Sequence, residues 1–112
     1  MESEIKTWLT DIQLAINEIN LFLPDKKDFL EFRKDLKTRR AIERNIEIIG
    51  EAVNRILKSD PEFPLPNSRK IVDTRNRIIH GYDSVSEDII WAIVVRSLPE
   101  LEKQINSLLA DK

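Results

Sequence analysis

Eight consecutive residues, Arg75-Asn76-Arg77-Ile78-Ile79-His80-Gly81-Tyr82, hold the chain's only histidine, its only tyrosine, one of its two glycines and two arginines. An imidazole titrates near neutrality and can take or give a proton. A guanidinium grips a phosphate bidentately and offsets charge that develops on it. Together they suit metal-free cleavage of RNA. The ribose 2′-hydroxyl attacks the neighbouring phosphate, His80 moves a proton, and Arg75 stabilises the charged transition state. DNA lacks the 2′-hydroxyl, so this chemistry selects RNA. A plainer reading stands beside it: a structural or exposed His80, an Arg75 in a salt bridge to Glu51, and a half-buried Tyr82.

Spacing constrains the chemistry. Arg75 and His80 are five residues apart, so in a straight helix they point about 140° away from each other. Either the helix loosens before Gly81, or the two residues meet across a symmetric dimer. Asn76 and His80 lie four apart and share a face without distortion.

The elements that must carry this segment are helical. Ile5, Trp8, Leu9, Ile12, Ala15, Ile16, Ile19, Phe22 and Leu23 recur at steps of three and four, the period of an amphipathic helix. Pro24-Asp25 ends it, and Phe29, Leu30, Phe32 and Leu36 mark a short helix within 26–36. A second long helix spans about 38–58, with Ile42, Ile46, Ile49, Val53, Ile56 and Leu57 as its core stripe. Its polar face carries Glu43, Glu47, Gly50, Glu51 and Asn54. A glycine inside a helix costs about 1 kcal/mol against alanine and is kept where a backbone or ligand comes close. That face is either solvated, or lies against residues 75–82 with Glu47 or Glu51 orienting an arginine.

Pro61, Pro64 and Pro66 make a stiff connector. Asn67 or Ser68 is a plausible N-cap for a helix over about 69–79, with Ile71, Val72, Ile78 and Ile79 buried and Gly81 at its C-cap. Ser84 with Glu87 fits a capping box, Ser86 being the alternative cap. The last helix carries Ile90, Trp91, Val94, Val95, Leu98, Leu101, Ile105, Leu108 and Leu109, and Pro99 should kink it. The expected fold is all-α: an up-and-down bundle of four long helices and a short one, forming a single domain over residues 1–112.

Composition narrows the function classes. With 18 Lys+Arg against 20 Asp+Glu the net charge is −2, so nucleic-acid binding must rely on a local basic patch. Arg69, Lys70, Arg75 and Arg77 form one candidate patch, and Arg33, Lys34, Lys37, Arg39, Arg40 and Arg44 a second that equally reads as ordinary surface. The absence of cysteine removes disulfides and thiolate chemistry, and a lone histidine disfavours a transition-metal site; no cofactor is expected. The acidic start is unlike a signal peptide and the apolar run 89–95 is too short for a bilayer. A cytoplasmic protein without membrane attachment is the expectation.

The pattern Arg75-x4-His80-x-Tyr82 resembles the signature of the HepT-like toxins, a branch of the HEPN ribonuclease superfamily. Ala41-Ile42-Glu43-Arg44-Asn45 and Ile48-Ile49-Gly50-Glu51-Ala52 resemble that family's second long helix. Ile90-Trp91 with Leu98-Pro99-Glu100-Leu101 resembles its last. The resemblance covers about two-thirds of the chain and implies a homodimer with Arg75 and His80 at a shared groove. It also implies metal-independent endoribonuclease activity on an RNA substrate. It further implies a partner antitoxin, a MntA-like minimal nucleotidyltransferase, that inhibits the toxin by AMPylation of Tyr82. Adenylate beside His80 would add bulk and negative charge that repel an RNA phosphate. Within this reading Asn76, Glu47 and Glu51 support the catalytic pair, while Arg77, Arg69 and Lys70 bind substrate. The alternatives are a non-catalytic helical binding partner of a nucleotidyltransferase and a plain dimerisation domain.

Overall fold

The computed structural model describes residues 2–23, 28–81 and 86–110. Pro24-Asp25, Tyr82 and Ser84, each given a role above, lie outside the described residues. The helices are α1 (Ser3–Phe22), α2 (Phe29–Lys34), α3 (Leu36–Ser59), α4 (Ser68–Ile79), α5 (Glu87–Ala92) and α6 (Leu98–Ala110), with a π-helical turn at Ile93–Ser97 joining the last two. The fold is an all-α bundle, as the periodicity requires, and among the described residues there is no strand. No described helix is long and apolar enough to cross a membrane.

The core forms along α3, which packs against α1 on one side and α4 on the other. Ile42, Ile46, Ile49, Val53 and Ile56 are all fully buried, so the expected stripe is the seam of the bundle. They meet Leu9, Ile12, Ile16 and Ile19 of α1, Ile71 of α4, and Ile90, Leu98, Leu101 and Ile105 of the C-terminal helices in one apolar cluster. Burial of a large aliphatic side chain contributes roughly 1.5–3 kcal/mol, which makes this seam the main source of stability. Trp91 anchors α2 to α5 through ring contacts at 5.0 Å with Phe32 and 5.8 Å with Phe29.

Asp35 serves two helices at once. It ends α2 and caps α3, its carboxylate accepting from the Thr38 amide at 3.0 Å and the Thr38 hydroxyl at 2.6 Å. Those bonds hold its pKa below the ordinary 3.8, the hydroxyl bond contributing most. Ser86 is the cap that forms at α5, accepting from the Ile89 amide.

Several expectations are corrected. Asn67 stands at the α4 N-cap position with φ +62° but makes no side-chain cap. Its amide donates instead to the Ser97 carbonyl and to Glu100 at 3.2 Å, tying the proline connector to the last helices. Pro99 has no amide to give Val95, and the chain answers with the wider π turn just upstream, in which the Leu98 amide reaches back to the Ile93 carbonyl; π turns commonly mark such disruptions of the helical ladder. Phe22, placed on the α1 stripe, Leu30 and Leu36, which marked the short helix, and Ile79, expected to be buried, are all exposed. The first three lie at helix ends, where the seam has run out, and Ile79 lies at the edge of a cleft. Ile93, absent from the expected stripe, is buried.

Candidate functional site

Helix α4 presents Ile71, Arg75 and Ile79, four residues apart, toward α3. Their burial declines along that row: Ile71 is fully buried, the Arg75 side chain is 21% exposed and Ile79 is 44% exposed. The row therefore leaves the core and enters a cleft between α1, α3 and α4, with Arg75 at the transition. The cleft encloses about 410 Å³ and is lined by Trp8, Asp11, Arg44, Glu47, Ile48, Glu51, Ala52, Arg55, Arg75 and Ile79.

Gly50 is what lets α4 come this close. A Cβ there would lie 2.7 Å from Arg75 Cγ, closer still to Arg75 Cβ, and 3.4 Å from the Ile71 carbonyl oxygen. Helix α3 carries a notch at Gly50, and the stem of Arg75 fills it. The glycine inside the helix is kept for this approach, as its place in the sequence suggested.

The guanidinium is held on two sides. Its Nη2 donates to Glu51 in a short charge-assisted bond, and its Nη1 donates to Asn76 Oδ1 at 2.8 Å. Glu51 also accepts from Arg55 Nε at 3.0 Å. The acidic face of α3 thus does orient an arginine, and the residue that does so is Glu51. Glu47 lines the same cleft but pairs with Arg44 at 3.8 Å, within its own helix. Both readings of Arg75, salt-bridge partner and phosphate ligand, are compatible: a guanidinium has five donors, and these bonds use two.

His80 stands apart from that cleft. Its amide still donates to the Asn76 carbonyl at 3.1 Å, so the helix stays regular up to the histidine. Only after it does the chain turn, with Gly81 at φ +66° as the helix-ending glycine and its amide on Ile78 O. Loosening before Gly81, the one way offered for Arg75 and His80 to meet within a single chain, does not occur. His80 is exposed and is not among the cleft residues. Asn76, half-buried on His80's face of the helix, links the two sides by accepting from Arg75.

Arg69, Lys70 and Arg77 are exposed on α4 and lie outside the cleft. The second basic group is partly neutralised: Arg39 pairs with Glu87 at 3.1 Å, Arg40 with Glu43 at 3.5 Å and Arg44 with Glu47. Trp8, Asp11 and Arg55 were not expected at the site. Trp8 was read as part of the α1 core stripe; it lies at the margin of that stripe and is half-buried. A bulky aromatic at a stripe's edge was the available signal.

Comparison with known proteins adds the lineage. The family described as Ribonuclease HepT-like matches residues 12–108. A Methanocaldococcus jannaschii protein whose name proposes an RNase is 32% identical, over 98% of this chain and 91% of its own length. A Caldanaerobacter subterraneus protein named in the same way is 40% identical over 72% of this chain and 73% of its own. A Thermococcus cleftensis protein bearing the name ribonuclease HepT is 33% identical over 96% of this chain and 98% of its own. No solved structure gives a match. A match over most of the length, across the helices that frame Arg75 and His80, has one consequence: this chain belongs to the HepT-like ribonuclease family.

Proposed function

We propose that the chain is an endoribonuclease toxin that cuts RNA through the ribose 2′-hydroxyl, without metal, at sites shared by two protomers. The observation that carries this reading is the unbroken helix between Arg75 and His80. It leaves the guanidinium braced in the cleft and the imidazole turned away from it. A two-fold pairing of α4 segments brings the arginine of one protomer to the histidine of the other, and isologous dimers are the commonest assembly. In each such site one imidazole takes the 2′-hydroxyl proton while O2′ attacks phosphorus. A 2′,3′-cyclic phosphate forms, the P–O5′ bond breaks, and the 5′-oxygen leaves with the proton that the imidazolium returns. Arg75 holds the non-bridging oxygens as their charge grows, and Glu51 and Asn76 fix its direction, so little reorganisation is needed in the transition state.

The partner in this reading is a minimal nucleotidyltransferase antitoxin that transfers AMP to Tyr82, two residues from His80. The family and the relatives' names support ribonuclease activity; the pairing and the modification rest on the resemblance of residues 75–82.

The test is cleavage of single-stranded RNA in chelator by the native protein and by His80→Ala and Arg75→Ala. The expected result is a cyclic-phosphate product from the native protein and at least a ~100-fold loss in each variant, the scale of removing a proton-transfer or charge-stabilising group. Full cleavage by His80→Ala removes the mechanism. An inert native protein that still binds a nucleotidyltransferase favours the non-catalytic partner. Co-expression with that enzyme should raise the intact mass by AMP units, and Tyr82→Phe should abolish the increase.

A further inference from the structure

We infer that the cleft beside Arg75 is a base-binding subsite, in which Trp8 stacks an unpaired nucleobase next to the scissile phosphate and Asp11 selects bases that carry an amino group. This rests on the ribonuclease reading and adds where the substrate strand lies and what sequence it prefers.

Three observations carry it. The first is the wall. Trp8 is half-buried, packed against the core, and also lines the cleft. An indole held this way is a rigid platform, and stacking on an aromatic is the usual way proteins hold single-stranded bases. The second is size and position. About 410 Å³ lies at the small end of ligand pockets, which run roughly 300–1,000 Å³, and Arg75 is part of the same lining. A nucleotide with its phosphate on Arg75 can therefore reach the cleft with its base.

The third is charge. Arg44, Arg55 and Arg75 are matched there by Asp11, Glu47 and Glu51, three charges of each sign. Each arginine is engaged by one of the two glutamates. A second phosphate would meet carboxylates, whereas a neutral planar group with N–H donors would not. Asp11 stands three residues from Trp8, on the same face of α1. Its carboxylate can accept from the exocyclic amine of cytosine, adenine or guanine. Uracil carries a carbonyl oxygen in place of cytosine's amine, and a carboxylate repels it.

The test uses the full-length protein. In Trp91→Phe, Trp8 is the sole indole. Titration with short deoxyadenosine or deoxycytidine oligomers, which lack the 2′-hydroxyl and are not cut, should quench its fluorescence. A deoxyuridine oligomer should bind about ten-fold more weakly. Absence of quenching, or equal quenching by all three, overturns the inference. In cleavage assays Trp8→Ala should raise KM by roughly ten- to a hundred-fold, the range of one lost stacking contact, with a smaller change in kcat. Trp8→Phe should retain most of the binding. Asp11→Asn should erase the preference for A and C over U. Native KM in Trp8→Ala, or conversion of a dimer to monomer by Trp8→Phe in sedimentation, also overturns it. The latter would make Trp8 an interface residue. If native protein cuts no RNA, the ribonuclease reading fails, and the quenching pattern still decides whether the cleft takes bases.

Discussion

Gly50 of α3 and Arg75 of α4 fit together as notch and stem: the space a Cβ would occupy at position 50 is already taken by Cβ and Cγ of the arginine. Arg75 Cβ is fixed by the backbone, so a rotamer change can move Cγ but cannot clear the contact. The catalytic candidate is therefore positioned by the packing of two helices.

Gly50→Ala should consequently destabilise, although alanine is the better helix former by about 1 kcal/mol. The overpacking term, about 1–3 kcal/mol, exceeds that gain, for a net loss of up to about 2 kcal/mol. Urea denaturation should show a lower midpoint with unchanged m-value. RNA cleavage should fall further than stability does, because α4 must shift and carry Arg75 with it. A variant more stable than the native protein would show that the notch closes without strain.

Glu51→Gln tests whether the carboxylate orients the guanidinium. The pair is partly exposed, at 21% and 38%, so stability should change by no more than about 1 kcal/mol. Cleavage should fall about ten-fold, mainly in kcat, since bracing matters most as charge develops. Glu47→Gln should have little effect, because Glu47 pairs with Arg44. Equal losses in both variants would point to the general acidity of the cleft instead.

Shared sites make a distinct prediction for mixed protomers. Arg75→Ala and His80→Ala, each inactive alone, should regain activity when refolded together in equal amounts. Half of the dimers are then mixed, and each mixed dimer holds one site with both residues, so about a quarter of native activity should return. A mixture that stays inactive means that each site draws both groups from one chain.

Asp35 gives a pH prediction. Its carboxylate is depressed by the bonds to Thr38, so the unfolded chain binds the proton more readily than the folded one. The stabilisation is present above the ordinary carboxylate pKa of 3.8 and is lost as pH falls below it through the folded value. Thermal unfolding of Asp35→Asn should differ from native at pH 7 and converge with it at strongly acidic pH. Asparagine is a comparable N-cap, so the difference at pH 7 isolates the charge. A gap that persists unchanged into acid would remove the carboxylate as its cause.

Much of the architecture could be read from the residues. The three-four spacing of Ile42, Ile46, Ile49, Val53 and Ile56 gave both the helix and its buried side, because a stripe of β-branched and aliphatic side chains has one way to leave water. Gly81 marked the end of α4, since glycine takes its φ of +66° at no steric cost. Gly50 signalled a close approach. Period alone did not reveal which glutamate would be chosen. Glu47 and Glu51 are one turn apart on one face, and only the register of α4 in the Gly50 notch brings Arg75 to the second. Nor could it show that Ile79 and Trp8, apolar and correctly spaced, would border a cleft.

The amino-acid order on its own determined the helices, the buried seam and the eight residues in which chemistry could reside, because each follows from local propensity and a repeating hydrophobic face. The tertiary structure decided which side chains meet. It kept α4 regular up to His80, seated Arg75 against Glu51, and opened a cleft beside Trp8. The physical reason is that the interval between two helices depends on how their surfaces interlock, and that is a property of the pair.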